Sequence, residues 1–224
     1  MSQAVLTRNI PHSSQANKPI HNINVKNFIK EDEFVLVTCH RRENILNEDS
    51  LKNIISLLNT IDDRNIIFPM GYKTQEVLKN SNIQLNTNIK VLDPIGYLEF
   101  MYLLKNSNYV ATDSGTVVEE ACILNVPSIQ MRYSTERPEV YDVRASVKFD
   151  PTNNLVDSNE VIGAVMNLNR GWSHPFGDGN SSEIIVKDLI ELSNSNTFKR
   201  HSPKDYPFDT SRSFKEWIEY YFIL

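Results

Sequence analysis

The densest chemistry in the chain lies in Thr112-Asp113-Ser114-Gly115-Thr116-Val117-Val118-Glu119-Glu120. The apolar run Tyr109-Val110-Ala111 leads into it and reads as a buried strand. A turn of small polar residues follows, and then a helix opens. A helix N-terminus behind such a turn presents free backbone N–H groups and the positive end of its dipole, which suits an anion. Gly115 lets a ligand approach the backbone without a side chain in the way. Glu119 and Glu120 stand one turn further on, where a carboxylate can take sugar hydroxyls. The plainer reading is an ordinary strand-to-helix connection capped by Asp113 or Ser114.

Two more polar clusters follow apolar runs. Residues 33–39 (EFVLVTC) form a continuous, β-branched stretch that reads as a central parallel strand, and His40-Arg41-Arg42-Glu43-Asn44 comes directly after it. Residues 128–132 read as another strand, followed by the loop that holds Thr135-Glu136-Arg137-Pro138-Glu139. Arg137 precedes a proline and is therefore expected to be extended, with its side chain either in the cleft or paired with Glu136 or Glu139.

The elements that must position these clusters are legible in outline. Strands are predicted at 33–39, 65–69, 89–92, 109–112, 128–132 and 146–149. Helices are predicted from about 47, where Leu51, Ile54, Ile55 and Leu58 keep the spacing of a core-facing stripe, and over 74–80, 97–106, 117–125, 159–167 and 182–194. The 182–194 helix carries Ile185, Val186, Leu189 and Ile190 on one face. A last amphipathic helix is predicted over 213–222, with Trp217 and Tyr221 four residues apart. Strands alternating with helices imply βαβ units with right-handed crossovers. The fold class is thus α/β, a Rossmann-like parallel sheet flanked by helices. In such folds ligands sit at the carboxyl ends of the strands, where all three polar clusters fall. The expected organisation is an irregular arm over 1–32, the Rossmann-like domain over 33–195, and a tail with the amphipathic helix over 196–224.

Composition narrows the class. The chain has 224 residues, 40% hydrophobic, with 23 Lys+Arg against 28 Asp+Glu. That mildly acidic balance argues against a nucleic-acid partner, which needs a basic face. The two cysteines, Cys39 and Cys122, sit in apolar runs and read as buried hydrophobes rather than a disulfide or metal site. No stretch is long enough to span a membrane, and residues 1–19 lack the apolar segment of a secretory signal. A reducing, cytoplasmic setting is expected.

The stretch Val37-Thr38-Cys39-His40-Arg41-Arg42-Glu43-Asn44 resembles the T-x-H-R-x-E-N signature of non-hydrolysing UDP-N-acetylglucosamine 2-epimerases. Asp93-Pro94-Ile95-Gly96-Tyr97, Thr112-Asp113-Ser114-Gly115, Glu119-Glu120-Ala121, Thr135-Glu136-Arg137-Pro138-Glu139 and Phe176-Gly177-Asp178-Gly179 resemble further blocks of that family, in the same order, over residues 33–192. The resemblance implies one half, the C-terminal UDP-binding domain, of a two-domain glycosyltransferase-B-like fold, with the sugar in the cleft between domains. The family's N-terminal domain, with the carboxylates usually assigned to proton transfer at C2, has no counterpart in the motifs found here.

The same resemblance implies C2 epimerisation of a UDP-sugar by elimination and re-addition of UDP, with no metal and no other cofactor. His40 would stabilise the leaving UDP. Arg41 and Arg137 would bind phosphate, Ser114, Gly115 and Thr116 would cradle it, and Glu120 would take the ribose hydroxyls, with Glu119 as its rival. The expected ligand is UDP-N-acetylglucosamine or a related UDP-sugar. The missing half would come from a homo-oligomer or a separate N-terminal-domain chain. Two other readings stay open: a UDP or UDP-sugar binding module or inactive remnant, and half of a split glycosyltransferase. Some positions depart from the family pattern. Thr116 stands where a second glycine is usual, Val118 where a glutamine is common, and Gly71-Tyr72-Lys73-Thr74 where a His-Pro-Arg-Thr run often occurs.

Overall fold

The computed structural model describes residues 33–195. Six strands among them form one parallel sheet: β1 (Phe34–Thr38), β2 (Asn65–Pro69), β3 (Ile89–Leu92), β4 (Tyr109–Thr112), β5 (Ser128–Met131) and β6 (Ser146–Phe149). Their spatial order is β3-β2-β1-β4-β5-β6. β1 is central: it pairs with β2 from Phe34–Asn65 to Leu36–Ile67, and with β4 from Val35–Tyr109 to Thr38–Thr112. The chain winds outward from β1 through β2 to β3, then returns to β4 on the other flank. The strand order therefore reverses between β1 and β4, and the crevice at their carboxyl ends is where an open α/β sheet takes its ligand.

β1 is an unbroken apolar run because both faces of the sheet are covered. Val35 and Val37 join a core with Leu51, Ile54, Ile55, Leu57 and Leu58 of α2 (Glu48–Thr60), Leu78 of α3 (Tyr72–Lys79), and Val161 and Val165 of α7 (Ser158–Met166). Phe34 and Leu36 point the other way, toward Leu103 and Leu104 of α4 (Tyr97–Asn106) and Ala121 of α5 (Gly115–Ile123). This is the period-2 alternation of a strand. Leu36 is fully buried, and truncating such a side chain to Ala typically costs about 2–5 kcal/mol.

The helices start and stop for local reasons. Asn47 caps α2 by accepting from the Ser50 N–H at 3.0 Å, and Glu48 and Asp49 fill its first turn. α5 ends where Asn125 takes a left-handed conformation (φ 57°). The Asn125 side chain then accepts from the Gly171 N–H at 2.9 Å. Cys39 and Cys122 are buried free thiols, and burial pushes both up, Cys122 to about 11.

Two single-turn helices were not predicted, α1 (Arg42–Ile45) and α6 (Glu139–Asp142). Four residues are too few to show a period. Gly177 and Gly179 hold positive φ values of 73° and 93°, so Asp178 sits in a glycine-shaped turn.

The contacts divide the chain after Asp178, and the second unit begins at Gly179. It contains α8 (Ser181–Asn194), which buries none of its residues. The predicted apolar face of α8 is present but uncovered, with Ile185 57% and Leu189 45% exposed. The helix predicted over 213–222 lies outside the described residues. Among the described residues, no helix is long and apolar enough to cross a membrane.

Candidate functional site

Both loops at the switch point start from paired threonines. Thr38 and Thr112 end β1 and β4 side by side, their hydroxyls 2.7 Å apart. Beyond them one chain runs into His40-Arg41-Arg42 and the other into Asp113-Ser114-Gly115. Asp113 does not cap α5. It is fully buried and turns back toward the β1 loop. Its carboxylate accepts the backbone N–H groups of His40 at 3.0 Å and Arg41 at 2.8 Å, and the Asn44 amide at 3.2 Å. Ser114 is the cap of α5: its hydroxyl accepts from the Val117 N–H at 3.4 Å. That hydroxyl keeps its own proton for a ligand.

His40, Arg41, Arg42, Ser114, Gly115, Thr116, Glu136 and Arg137 converge on one cavity of about 570 Å³. The three polar clusters predicted to share a rim therefore line one space. A Cβ built on Gly115 would meet Glu136 Oε2 at 3.5 Å, an ordinary contact, and Gly115 has no left-handed φ. Nothing in the protein itself requires glycine there, whereas a ligand lying against the backbone would. Thr116 is exposed at the same mouth and offers a hydroxyl in place of a second glycine.

The cations differ in how they are held. Arg41 Nε donates to the Asp113 carbonyl at 3.1 Å, and its guanidinium lies 3.6 Å from Glu43 and 3.9 Å from Glu136. Arg42 starts α1 and is exposed. Arg137 pairs with Glu119 of α5 rather than with Glu136 or Glu139. Glu136 is taken instead by Arg132, in a two-pronged pair at 2.6 and 3.0 Å. The hydrogen bond from Arg132 holds the Glu136 carboxyl below its ordinary range.

Glu120 stands apart from the residues that line the cavity. It is 3% exposed, and its Oε1 accepts from the Tyr97 hydroxyl at 3.0 Å. Burial pushes its carboxyl upward, against the opposing effect of the Tyr97 bond. Tyr97, at the start of α4, is itself pushed up to about 12 by burial and by Glu120.

Sequence reasoning missed three contributors: Asn44, Arg132 and the anchoring role of Asp113. Asn44 also donates to the Met131 carbonyl at 3.0 Å, tying the β1 loop to the end of β5. Its place in the signature stretch was the available signal. Among the described residues, no group of three or more His, Cys, Asp or Glu is placed to hold a metal ion.

An open parallel sheet in this order, with cations and helix N–H groups gathered at its switch point, defines a Rossmann-like domain with an anion-binding crevice. The family model for UDP-N-acetylglucosamine 2-epimerase matches residues 4–190, and the chain belongs to that family. The match begins well ahead of residue 33, so part of the stretch read as an arm falls within it. The UDP-N-acetylglucosamine 2-epimerase of Methanocaldococcus jannaschii is 41% identical over 180 residues, 75% of this chain and 48% of the relative. A UDP-2,3-diacetamido-2,3-dideoxy-D-glucuronate 2-epimerase of Pseudomonas aeruginosa is 34% identical over 166 residues, 72% of this chain and 46% of the relative. The solved M. jannaschii epimerase, in complex with UDP-GlcNAc and UDP, superposes with a TM-score of 0.69 at 38% identity, covering 85% of this chain and 53% of that one. The chain thus spans about half the length of the relatives it matches.

Proposed function

We propose that this chain is the UDP-holding half of a UDP-N-acetylglucosamine 2-epimerase-type site, completed by a second domain or chain. The observation that carries the reading is the single cavity that gathers His40, Arg41, Arg42 and Arg137 against the N-terminus of α5, in a chain 38% identical to an epimerase solved with UDP-GlcNAc and UDP. The diphosphate lies against Ser114, Gly115 and Thr116, with Arg41 and Arg137 flanking it. Glu120 takes the ribose hydroxyls by exchanging its bond from Tyr97. His40 faces the oxygen that departs.

The reaction removes the C2 proton and breaks the C1–O bond. UDP leaves with the bonding electron pair, and a 2-acetamidoglucal remains. UDP then adds back at C1 while C2 takes a proton on its opposite face. This half supplies charge stabilisation for UDP. Among the described residues that line the cavity it offers no free carboxylate for C2. Glu136 is the carboxylate that lines the cavity, and Arg132 holds it. The base comes from the completing partner, either a second copy or a chain carrying the other half. Exposed apolar residues after the carboxyl ends of four strands, Leu46, Tyr72, Leu98 and Tyr133 (54–72% exposed), give such a partner a surface to cover. The substrate is UDP-N-acetylglucosamine or a related UDP-sugar, met in the cytoplasm.

A second reading, a module that binds UDP without turnover, is favoured by the same commitment of the carboxylates. One experiment separates the two. The purified chain is incubated with UDP-N-acetylglucosamine in D₂O and followed by proton NMR, alone and with a candidate partner. Broadened uracil and ribose signals without exchange at C2, and exchange only when a partner is added, are expected. Exchange by the chain alone would refute the need for a partner. Unperturbed nucleotide signals would refute the UDP-holding role. Binding without exchange under all conditions would establish the second reading.

A further inference from the structure

We propose that Asp113 is the positioning residue of this site: its buried carboxylate sets the orientation of the His40 imidazole and the placement of Arg41 at the cavity. The proposal rests on the nucleotide reading for its purpose but on geometry for its content. The last β1–β4 pair is Thr38 with Thr112, so beyond that point the sheet no longer dictates where the β1 loop runs. Asp113 does. Its peptide N–H donates to the Thr38 carbonyl at 3.3 Å, and its peptide carbonyl accepts from Arg41 Nε at 3.1 Å. Its carboxylate takes two successive backbone N–H groups and the Asn44 amide.

A fully buried carboxylate is tolerated only where donors fill its lone pairs. Here the donors come from one loop, the loop that carries His40, Arg41 and Arg42. The carboxylate also faces the Cys39 thiol of the same segment and His40 Nδ1, 3.4 Å from Asp113 Oδ1, on a side chain that is 59% exposed. A ring held that way presents a protonated Nδ1 to the carboxylate. Nε2 is left for the cavity, as an acceptor when the ring is neutral and as a donor when it is charged. Through Asn44 and the Met131 carbonyl the same anchor reaches β5, so one side chain fixes the ends of three strands relative to each other. Asparagine at 113 has the right shape but turns an N–H toward one or more donors, which breaks the arrangement without opening a cavity.

The test is the tautomer of His40 in the full chain, read from long-range nitrogen-15 spectra at alkaline pH and assigned by the loss of its signals in His40→Gln. The expected wild-type ring carries its proton on Nδ1. In Asp113→Asn the proton moves to Nε2, and UDP affinity measured by calorimetry falls about tenfold or more, while the melting transition stays cooperative. A wild-type ring protonated on Nε2 overturns the proposal, and that spectrum decides even if Asp113→Asn does not fold. An unchanged tautomer in a folded Asp113→Asn overturns it as well. Wild-type protein with the Nδ1 proton but no affinity for UDP supports the positioning and refutes the nucleotide reading alone.

Discussion

Glu120 shows how a buried carboxyl can cost stability. Its ordinary value is 4.5, and burial raises it in the folded chain. A raised carboxyl binds its proton more tightly folded than unfolded, so its contribution falls as pH rises through the window above the ordinary value. Glu120→Gln is therefore expected to melt at the same temperature as wild type at pH 4 and at a higher temperature at pH 8. Equal melting temperatures at both pH values would remove the assigned cause. Glu120→Ala should lose about 1–3 kcal/mol of UDP affinity by calorimetry if the carboxylate meets the ribose; an unchanged affinity would refute that role. At this scale the sequence was informative about residues whose chemistry is local. The small turn before a helix was legible as holding a cap, with Asp113 and Ser114 both candidates, and the structure gives the cap to Ser114. The anchoring role of Asp113 was not legible, because its partners lie about seventy residues earlier in the chain and no local pattern encodes a bond across two strands. Arg137 stayed ambiguous between the cleft and Glu136 or Glu139, and Arg132 went unnoticed: only folding decides that Arg132 takes Glu136 while Arg137 takes Glu119.

The elements that were read well have a strong period or a sharp signal at each end. α2 combines a four-point apolar stripe with Asn47 as cap. Asn47→Ala should lower stability by about 1 kcal/mol in urea melts, with UDP affinity unchanged because Asn47 is not among the residues that line the cavity. A loss of affinity of similar size would mean that α2 helps to set the β1 loop. α3 begins two residues earlier than predicted, at Tyr72, because the loop backbone at Gly71 enters the helix without a side-chain cap to announce it. α8 shows the limit of periodicity: the apolar face was predicted, but a pattern states that a face wants cover and not which element supplies it.

For the whole molecule, the sheet order explains why three motifs far apart in the chain share one cavity: only an order that reverses between β1 and β4 brings both loops to the same crevice. The two thiols report on the integrity of that sheet. Cys39 directly follows β1 and Cys122 lies in α5, both buried and pushed upward, so neither should react with iodoacetamide at pH 8 in the native chain, and both should react in 6 M urea. Native-state labelling at Cys39, read by mass spectrometry, would mean that β1 opens. The fold class was within reach because parallel strands buried on two faces are written as continuous apolar runs, whereas the strand order came from the structure.

The pairing of β1 with both β2 and β4 has a consequence for how the chain comes into being. The β1 loop is synthesised about seventy residues before the Asp113 that holds it, and Arg137 follows later still. A parallel neighbour so distant makes closing the sheet slow, because the chain entropy of a long loop is lost before the pairing repays it. During synthesis β1 is an apolar strand with one edge vacant and the residues of its loop unplaced. If the crevice holds nucleotide as proposed, the ligand acts only on the last stage of assembly. UDP added at the start of refolding should leave the early phases unchanged and slow only the reverse step, unfolding of the finished crevice.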